Sequence, residues 1–148
     1  MSDIVFNDKP TTTFWIVSGA ALTWNLFGLM IYIMTVTETP EGYAAQGYTA
    51  EQIEFILATP AWATAAFAIA VNAGALASLF LLLRKAWAAP MFIFSLAAIL
   101  VLNVNNFILN DTVAVLGVVP VYIQSAIFLV GVFLVWYSRA TRSRGWLT

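Results

Sequence analysis

The apolar run at residues 60–85 constrains the fold of this chain more than any other feature. It exceeds the ~20 apolar residues that cross the hydrocarbon core of a bilayer as a helix rising about 1.5 Å per residue. Pro60 opens the run, where a proline is compatible with the first helical turn, and Arg84-Lys85 close it. The run therefore predicts a membrane-spanning helix.

Small residues recur at every fourth position of this run, at Ala66, Ala70, Gly74 and Ser78. Residues four apart lie on the same face of a helix. A face of small residues lets two membrane helices approach closely enough to gain dispersion contacts. We expect this helix-packing face either to close the chain's own bundle or to dock another chain.

The composition extends the membrane interpretation to the whole chain. Hydrophobic residues make up 62% of the 148 residues and charged residues only 9%. Soluble domains carry about 25% charged residues, and a chain of this length has too little interior to bury so much apolar surface. The predicted fold is all-α: one integral membrane domain, residues 1–148, forming a four-helix bundle.

Four spans are predicted, at residues 14–36, 61–83, 91–109 and 118–137. The start of the fourth span has two interpretations. Asp111 and Thr112 cap a helix that continues through Pro120 with a kink, or Pro120 opens the span after an apolar hairpin at residues 113–119. Residues 138–148 are expected to form a basic tail.

The loop at residues 37–59 is predicted to contain a short helix at about residues 50–58. Thr49 and Gln52 have the spacing of a capping box, in which each side chain bonds the backbone N–H of the other residue. Three apolar side chains share one face of this helix: Ile53, Ile56 and Leu57. Two placements follow, an amphipathic helix at the membrane interface or a polar lid on the bundle.

Charge is segregated between the two ends of the predicted spans. One end carries all six cationic residues: Lys9, Arg84, Lys85, Arg139, Arg142 and Arg144. The opposite end carries acidic residues: Glu38, Glu41, Glu51, Glu54 and Asp111. Because positive loops stay in the cytoplasm, both termini are predicted to be cytoplasmic and the loop at residues 37–59 periplasmic, in a bacterial inner membrane.

The residue types disfavour catalysis. The chain has no cysteine and no histidine, and no charged residue lies within a predicted span. These absences remove the usual ligands of metals and haem, the usual acid–base group and the carboxylate of a proton-coupled carrier. We predict no enzymatic activity, no metal and no cofactor, with lipids bound and no nucleic-acid partner.

Amides are the main polar groups of the spans. Two tryptophans accompany them in the candidate polar cluster: Asn25, Asn72, Asn103, Asn106, Gln124, Trp24 and Trp62. One interpretation is hydrogen bonding between helices, worth roughly 0.6–2 kcal/mol per bond in membranes. The other is an outward-open pocket for a small neutral polar solute such as a sugar, with a tryptophan as a stacking wall.

Several short segments of the sequence resemble segments found in one group of proteins. They include FWIVSG at 14–19, Trp24-Asn25, Pro60-Ala61-Trp62, AVNAG at 70–74 and LLLRKAW at 81–87. The chain resembles small four-span bacterial inner-membrane proteins that sometimes carry the label "sugar transporter". The resemblance implies four-span topology and supplies no binding residues. The proline-glutamine motif of small sugar-exporting families is absent, and Pro120-Val121 occupies the corresponding place.

The sequence thus favours a non-catalytic accessory subunit that associates with a larger membrane complex or with itself as a homo-oligomer. The alternative is a facilitator or binder of a small neutral polar solute. A four-helix bundle has room inside for side chains and little else. We therefore expect a solute path to require oligomerisation or a rocking motion.

Overall fold

The computed structural model describes residues 9–148, which form seven α-helices and no strand. The helices are α1 (Thr12–Thr37), α2 (Pro40–Ala45), α3 (Ala50–Leu57), α4 (Ala61–Leu82), α5 (Ala88–Val104), α6 (Thr112–Leu116) and α7 (Val119–Ser143). A π-helical turn, Asn105–Leu109, extends α5. Four helices are long and apolar enough to cross a membrane: α1, α4, α5 with its extension, and α7. The all-helical fold with four candidate spans is confirmed.

The four spans form an arc. α4 lies between α5 and α1, and α5 packs in turn against α7. Within residues 9–148, α1 and α7 form no interface comparable to these three. The predicted bundle is therefore open on the side between its first and last spans.

The small-residue face of α4 is buried inside this arc. Its members are Ala66, Ala70, Gly74 and Ser78. Ser95 of α5 donates its hydroxyl to the carbonyl of Ala70 at 2.7 Å, and Asn25 of α1 donates its amide to Ser78 Oγ at 3.0 Å. The face therefore packs against the neighbouring helices of the same chain.

The helix that contains the fourth span is longer than the predicted span of residues 118–137. α7 continues past residue 137 to Ser143, because no helix-breaking residue precedes Gly145. Gly145 has φ +73°, the left-handed conformation with which many helices end and which glycine adopts without a steric penalty.

The residues predicted to form a basic tail, 138–148, are the last turns of α7 followed by a packed segment. Trp146 and Leu147 are buried in an apolar cluster with Phe14. The N–H of Thr148 donates to the carbonyl of Arg84 at 2.7 Å, and Arg84 Nε donates to the carbonyl of Trp146 at 2.8 Å. These bonds tie the chain after α7 to the connection between α4 and α5.

The start of the fourth span combines parts of both interpretations. Asp111 Oδ1 accepts the N–H of Ala114 at 3.1 Å and caps α6, a separate short helix. Gly117, with φ +78°, ends α6, and Pro120 lies in the first turn of α7. The continuous kinked helix is wrong, because α6 ends at Leu116 and α7 begins separately at Val119.

Two short helices fill the first long loop. α3 has the predicted capping box, with reciprocal bonds between Thr49 and Gln52, and Gln52 Nε2 also donates to the carbonyl of Val115 at 3.2 Å. α3 therefore packs on α6 across one end of the spans. α2 was not predicted, although Thr39 as cap and Pro40 at the first helical position are a recognised start signal.

Candidate functional site

A cavity of about 740 Å³ lies among the four spans, on the side where α1 and α7 do not close. Small-molecule sites occupy roughly 300–1,000 Å³, and the volume of this space lies within that range. The space is a half-open groove between α1 and α7 and not the interior of a closed bundle, so the expectation that a closed bundle has little interior room stays a prediction.

The walls of the cavity are mainly aromatic and aliphatic. They include Trp24 and Phe27 of α1, Phe67 of α4, Phe92 of α5, and Ile123 and Ile127 of α7. The lining of α1 extends over residues 24–36, which is ~18 Å of helix. The site is therefore elongated along the spans and suited to a molecule with a largely apolar body.

Polar groups at the deep end of the cavity already bond within the chain. Asn25 Nδ2 donates to the carbonyl of Ala21 at 2.9 Å as well as to Ser78 Oγ. Ser95 Oγ donates to the carbonyl of Ala70. A ligand at this end of the cavity contacts amide and hydroxyl groups whose hydrogen-bond donors are already used to join α1, α4 and α5.

Glu38, which directly follows α1, lines the opposite end of the cavity. It is the one charged side chain in the lining as far as residues 9–148 are described. Its Oε1 accepts the N–H of Thr39 at 3.1 Å, and its Oε2 accepts Nε2 of Gln46 at 2.7 Å. A Cβ at Gly42 would overlap Oε1, so the missing side chain leaves space for the carboxylate.

Tyr43 of α2 lies beside this carboxylate and also lines the cavity. Its ring is buried and packs edge-on against Tyr48, and its hydroxyl donates to the carbonyl of Thr35 at 3.3 Å. Burial, and then the negative charge of Glu38, raise the pKa of Tyr43 above its ordinary value. The phenol therefore stays a neutral donor beside a carboxylate.

The structure divides the seven residues of the predicted polar cluster. Four line the cavity: Trp24, Asn25, Asn106 and Gln124. Three lie elsewhere: Asn72, Asn103 and Trp62. The first group comes from three different helices, so the cavity does bring distant predicted residues together.

The three residues outside the cavity have different surroundings. Asn72 is exposed on the outer face of α4 and, among residues 9–148, its side chain bonds only its own helix, donating to the carbonyl of Ala68 at 2.8 Å. Trp62 is also exposed. Asn103 is half-buried, and its Oδ1 has no hydrogen-bond partner within residues 9–148.

Asn106 belongs to a network that shapes the end of α5. Asn105 donates to Asn106 Oδ1 at 3.0 Å, and both the backbone and side-chain nitrogens of Asn110 donate to the carbonyl of Asn105. Thr112 donates its hydroxyl to the carbonyl of Asn106. These bonds satisfy carbonyl groups that the π-helical turn would otherwise leave without partners.

Sequence reasoning missed Glu38 and Tyr43 as site residues. Both lie in the first long loop, and the only signal near them is the helix-start pair Thr39-Pro40, which positions α2. Within the described part of the chain, no group of three or more His, Cys, Asp or Glu side chains is arranged to hold a metal ion. What the site offers chemically is an apolar cleft with one carboxylate at its end.

Comparison of the chain with protein-family models, curated proteins and solved structures found no match. The resemblance to four-span bacterial membrane proteins therefore stays a prediction.

Proposed function

We propose that this protein is a non-catalytic, multi-pass membrane protein that binds a small, elongated and mostly apolar molecule between α1 and α7. The observation that carries the proposal is the cavity of about 740 Å³ with its aromatic and aliphatic walls. This volume lies in the range of small-molecule sites.

The ligand enters from the bilayer. Phe27 of α1 and Ile123 of α7 both line the cavity, yet each remains more than half exposed, at 56% and 54%. The cavity walls are therefore continuous with the lipid-facing surface on the open side of the arc. A membrane lipid or a compound dissolved among lipids reaches the site without crossing polar loops.

The proposed ligand is an amphiphilic molecule and not the sugar-like solute expected from the sequence. Sugars require many unengaged hydrogen-bonding groups, because each buried hydroxyl without a partner costs free energy. Asn25 and Ser95 already donate within the chain, and apolar side chains dominate the remaining lining. An apolar body with a small polar end suits these walls better.

The proposed setting is a bacterial inner membrane with both termini in the cytoplasm. Its support is the charge distribution. Arg84 and Lys85 follow α4, and the other cations flank the start of α1 or lie near the end of α7. Acidic residues follow α1 and lie on α2 and α3, at the opposite ends of the spans. Cationic loops are retained on the cytoplasmic side.

Native mass spectrometry with diphenylhexatriene, a neutral rod-shaped hydrocarbon, tests ligand binding. Wild-type protein is expected to retain one probe molecule. Ala126→Phe, which fills space at a lining position of α7, is expected to abolish retention, whereas Ser125→Phe at the adjacent position outside the lining retains it. Equal retention by both variants would contradict the proposed site.

A second candidate function is association with another membrane subunit or with a second copy of the chain. The observation in its favour is Asn72, whose amide is exposed near the middle of α4 between the exposed Ile69 and Leu76. An amide facing hydrocarbon is unfavourable, and a hydrogen bond to a neighbouring helix relieves that cost. Asn72→Leu is expected to dissociate the assembly extracted in mild detergent, while Ile69→Leu leaves it intact.

A further inference from the structure

We propose that the ligand of the cavity carries a positive charge at one end and that the carboxylate of Glu38 binds this charge. The inference rests on the proposed function, because it names the chemical class of the molecule that the cavity takes. The ligand is then an amphiphilic cation, with its apolar body between α1 and α7 and its charged end beside α2.

Within the described residues 9–148, the carboxylate is held in place by two hydrogen bonds but is not neutralised. Both bonds come from neutral donors, the N–H of Thr39 and the amide of Gln46. An ionised carboxylate has about four acceptor sites, so two engaged sites leave capacity for a ligand. Glu38 is also only half-exposed, so its charge is less well hydrated than that of a free surface carboxylate.

Cationic side chains of the chain are far from this carboxylate along the spans. Arg84 and Lys85 follow the end of α4, while Glu38 follows the end of the antiparallel α1. The other cationic residues lie before α1 or in and after the last turns of α7. Within residues 9–148, the half-buried carboxylate of Glu38 therefore has no cationic side chain beside it, and a cationic ligand would supply that charge.

The surrounding charges act in the same direction. Glu41 lies on α2, Glu51 and Glu54 lie on α3, and Asp111 caps α6 at the same end of the spans. Charges of one sign around a cleft raise the local concentration of ligands of the opposite sign. Cations are therefore attracted to the end of the cavity where Glu38 lies.

A purely structural role would use Glu38 only as a partner of Thr39 and Gln46 at the start of α2. The two roles differ in what charge removal does. Glu38→Gln keeps one acceptor oxygen, so only one of the bonds from Thr39 and Gln46 can persist. The side chain of Thr39 still caps α2 through the N–H of Gly42, so α2 is expected to persist. Binding of a cation, in contrast, depends on the charge itself.

The test compares diphenylhexatriene with its trimethylammonium derivative, which has the same rod-shaped body and one cationic end. Native mass spectrometry on the full chain measures retention of each probe across a concentration series. In the wild type we expect the cationic probe to bind roughly tenfold more tightly, the effect of one partly screened charge pair. Glu38→Gln is expected to remove that preference and leave the neutral probe unchanged.

Two further variants make the result specific. Glu54→Gln removes the charge of an α3 side chain that does not line the cavity. This variant is expected to keep most of the preference for the cationic probe. Gly42→Ala keeps every charge but displaces the Glu38 carboxylate, and is expected to reduce the preference. If Glu38→Gln does not fold, Gly42→Ala still tests whether the position of the Glu38 carboxylate determines the preference.

The outcomes separate this inference from the proposed function. If both probes bind equally and Glu38→Gln changes neither, the cavity binds ligands but the charge assignment is wrong. If neither probe is retained, both the proposed function and the charge assignment are overturned. A preference abolished equally by Glu54→Gln and Glu38→Gln would assign the effect to the acidic surface and contradict the role of Glu38.

Discussion

The amide of Asn25 donates a hydrogen bond to Ser78 Oγ at 3.0 Å and so joins α1 to α4 beside the cavity. Ser78 is fully buried and in turn donates to the carbonyl of Gly74 at 2.9 Å. The first prediction concerns this pair. A double-mutant cycle with Asn25→Ala and Ser78→Ala is expected to give a coupling free energy of roughly 0.6–2 kcal/mol. Unfolding titrations in mixed micelles measure it, and additive effects would show that the bond contributes nothing.

The second prediction concerns the close approach of α1, α4 and α5 at Gly74. A Cβ there would overlap Asn25 Oδ1 and lie 3.2 Å from Ser95 Oγ. Asn25 cannot move away without losing its bonds to Ala21 and Ser78. Gly74→Ala is therefore expected to lower the free energy of unfolding by about 1–3 kcal/mol, the range for overpacking.

Gly19→Ala is the matched control for Gly74→Ala. Gly19 is also helical, but a Cβ there meets no atom within 4 Å. Alanine is favoured over glycine in a helix by roughly 1 kcal/mol, so this change is expected to be neutral or stabilising. Equal destabilisation by the two substitutions would contradict the close packing at Gly74.

The third prediction concerns the segment after α7. Trp146 is 4% exposed and packs edge-on against Phe14, with ring centroids 5.8 Å apart. Trp146→Ala is expected to lower the free energy of unfolding by about 3–5 kcal/mol, as is usual for a buried aromatic side chain. Trp87→Ala is the control, because Trp87 is 67% exposed and its loss is expected to have a small effect. Similar effects of the two substitutions would mean that the segment does not pack on α1.

The fourth prediction is a pH dependence that arises from Tyr43. Its pKa is raised above the ordinary value of 10.0, first by burial and then by the charge of Glu38. The folded state therefore favours the neutral phenol. The contribution of neutral Tyr43 to the free energy of unfolding is fully present below pH 10.0. It is lost as the pH rises through the raised pKa of the folded state.

Measurement of the free energy of unfolding against pH checks this sign. Wild-type protein is expected to lose stability above pH 10.0, and Tyr43→Phe is expected to lose less over the same interval. Phenolate absorbance provides a second readout, since the difference between wild type and Tyr43→Phe isolates this one group. Identical stability profiles for the two proteins would refute the assignment.

Local signals in the sequence predicted the helices well. Span length and apolar composition depend only on the chain itself, so the four spans follow from hydrophobicity. The capping box of Thr49 and Gln52 is likewise local. The burial of Trp146 was not predictable from local signals, because it depends on Phe14 near the other end of the chain.

The site was predictable only in part. Asn25 and Asn72 both lie near the middle of a span, and the sequence gives no reason to separate them. Which amide faces the cavity depends on how each helix is rotated against its neighbours, and this rotation places Asn25 inside and Asn72 outside. Glu38 was not predictable as a site residue, because no local pattern in the sequence indicates the gap between α1 and α7.

Photo-crosslinking with a diazirine-bearing alkylammonium probe tests the central claim most directly, because it locates the bound molecule. Peptide mass spectrometry is expected to find the label on residues 24–36 of α1 and 123–134 of α7, and excess trimethylammonium diphenylhexatriene is expected to suppress it. Unsuppressed label spread over the outer faces of α4 and α5, at exposed residues such as Leu76 and Phe94, would contradict a ligand site between α1 and α7.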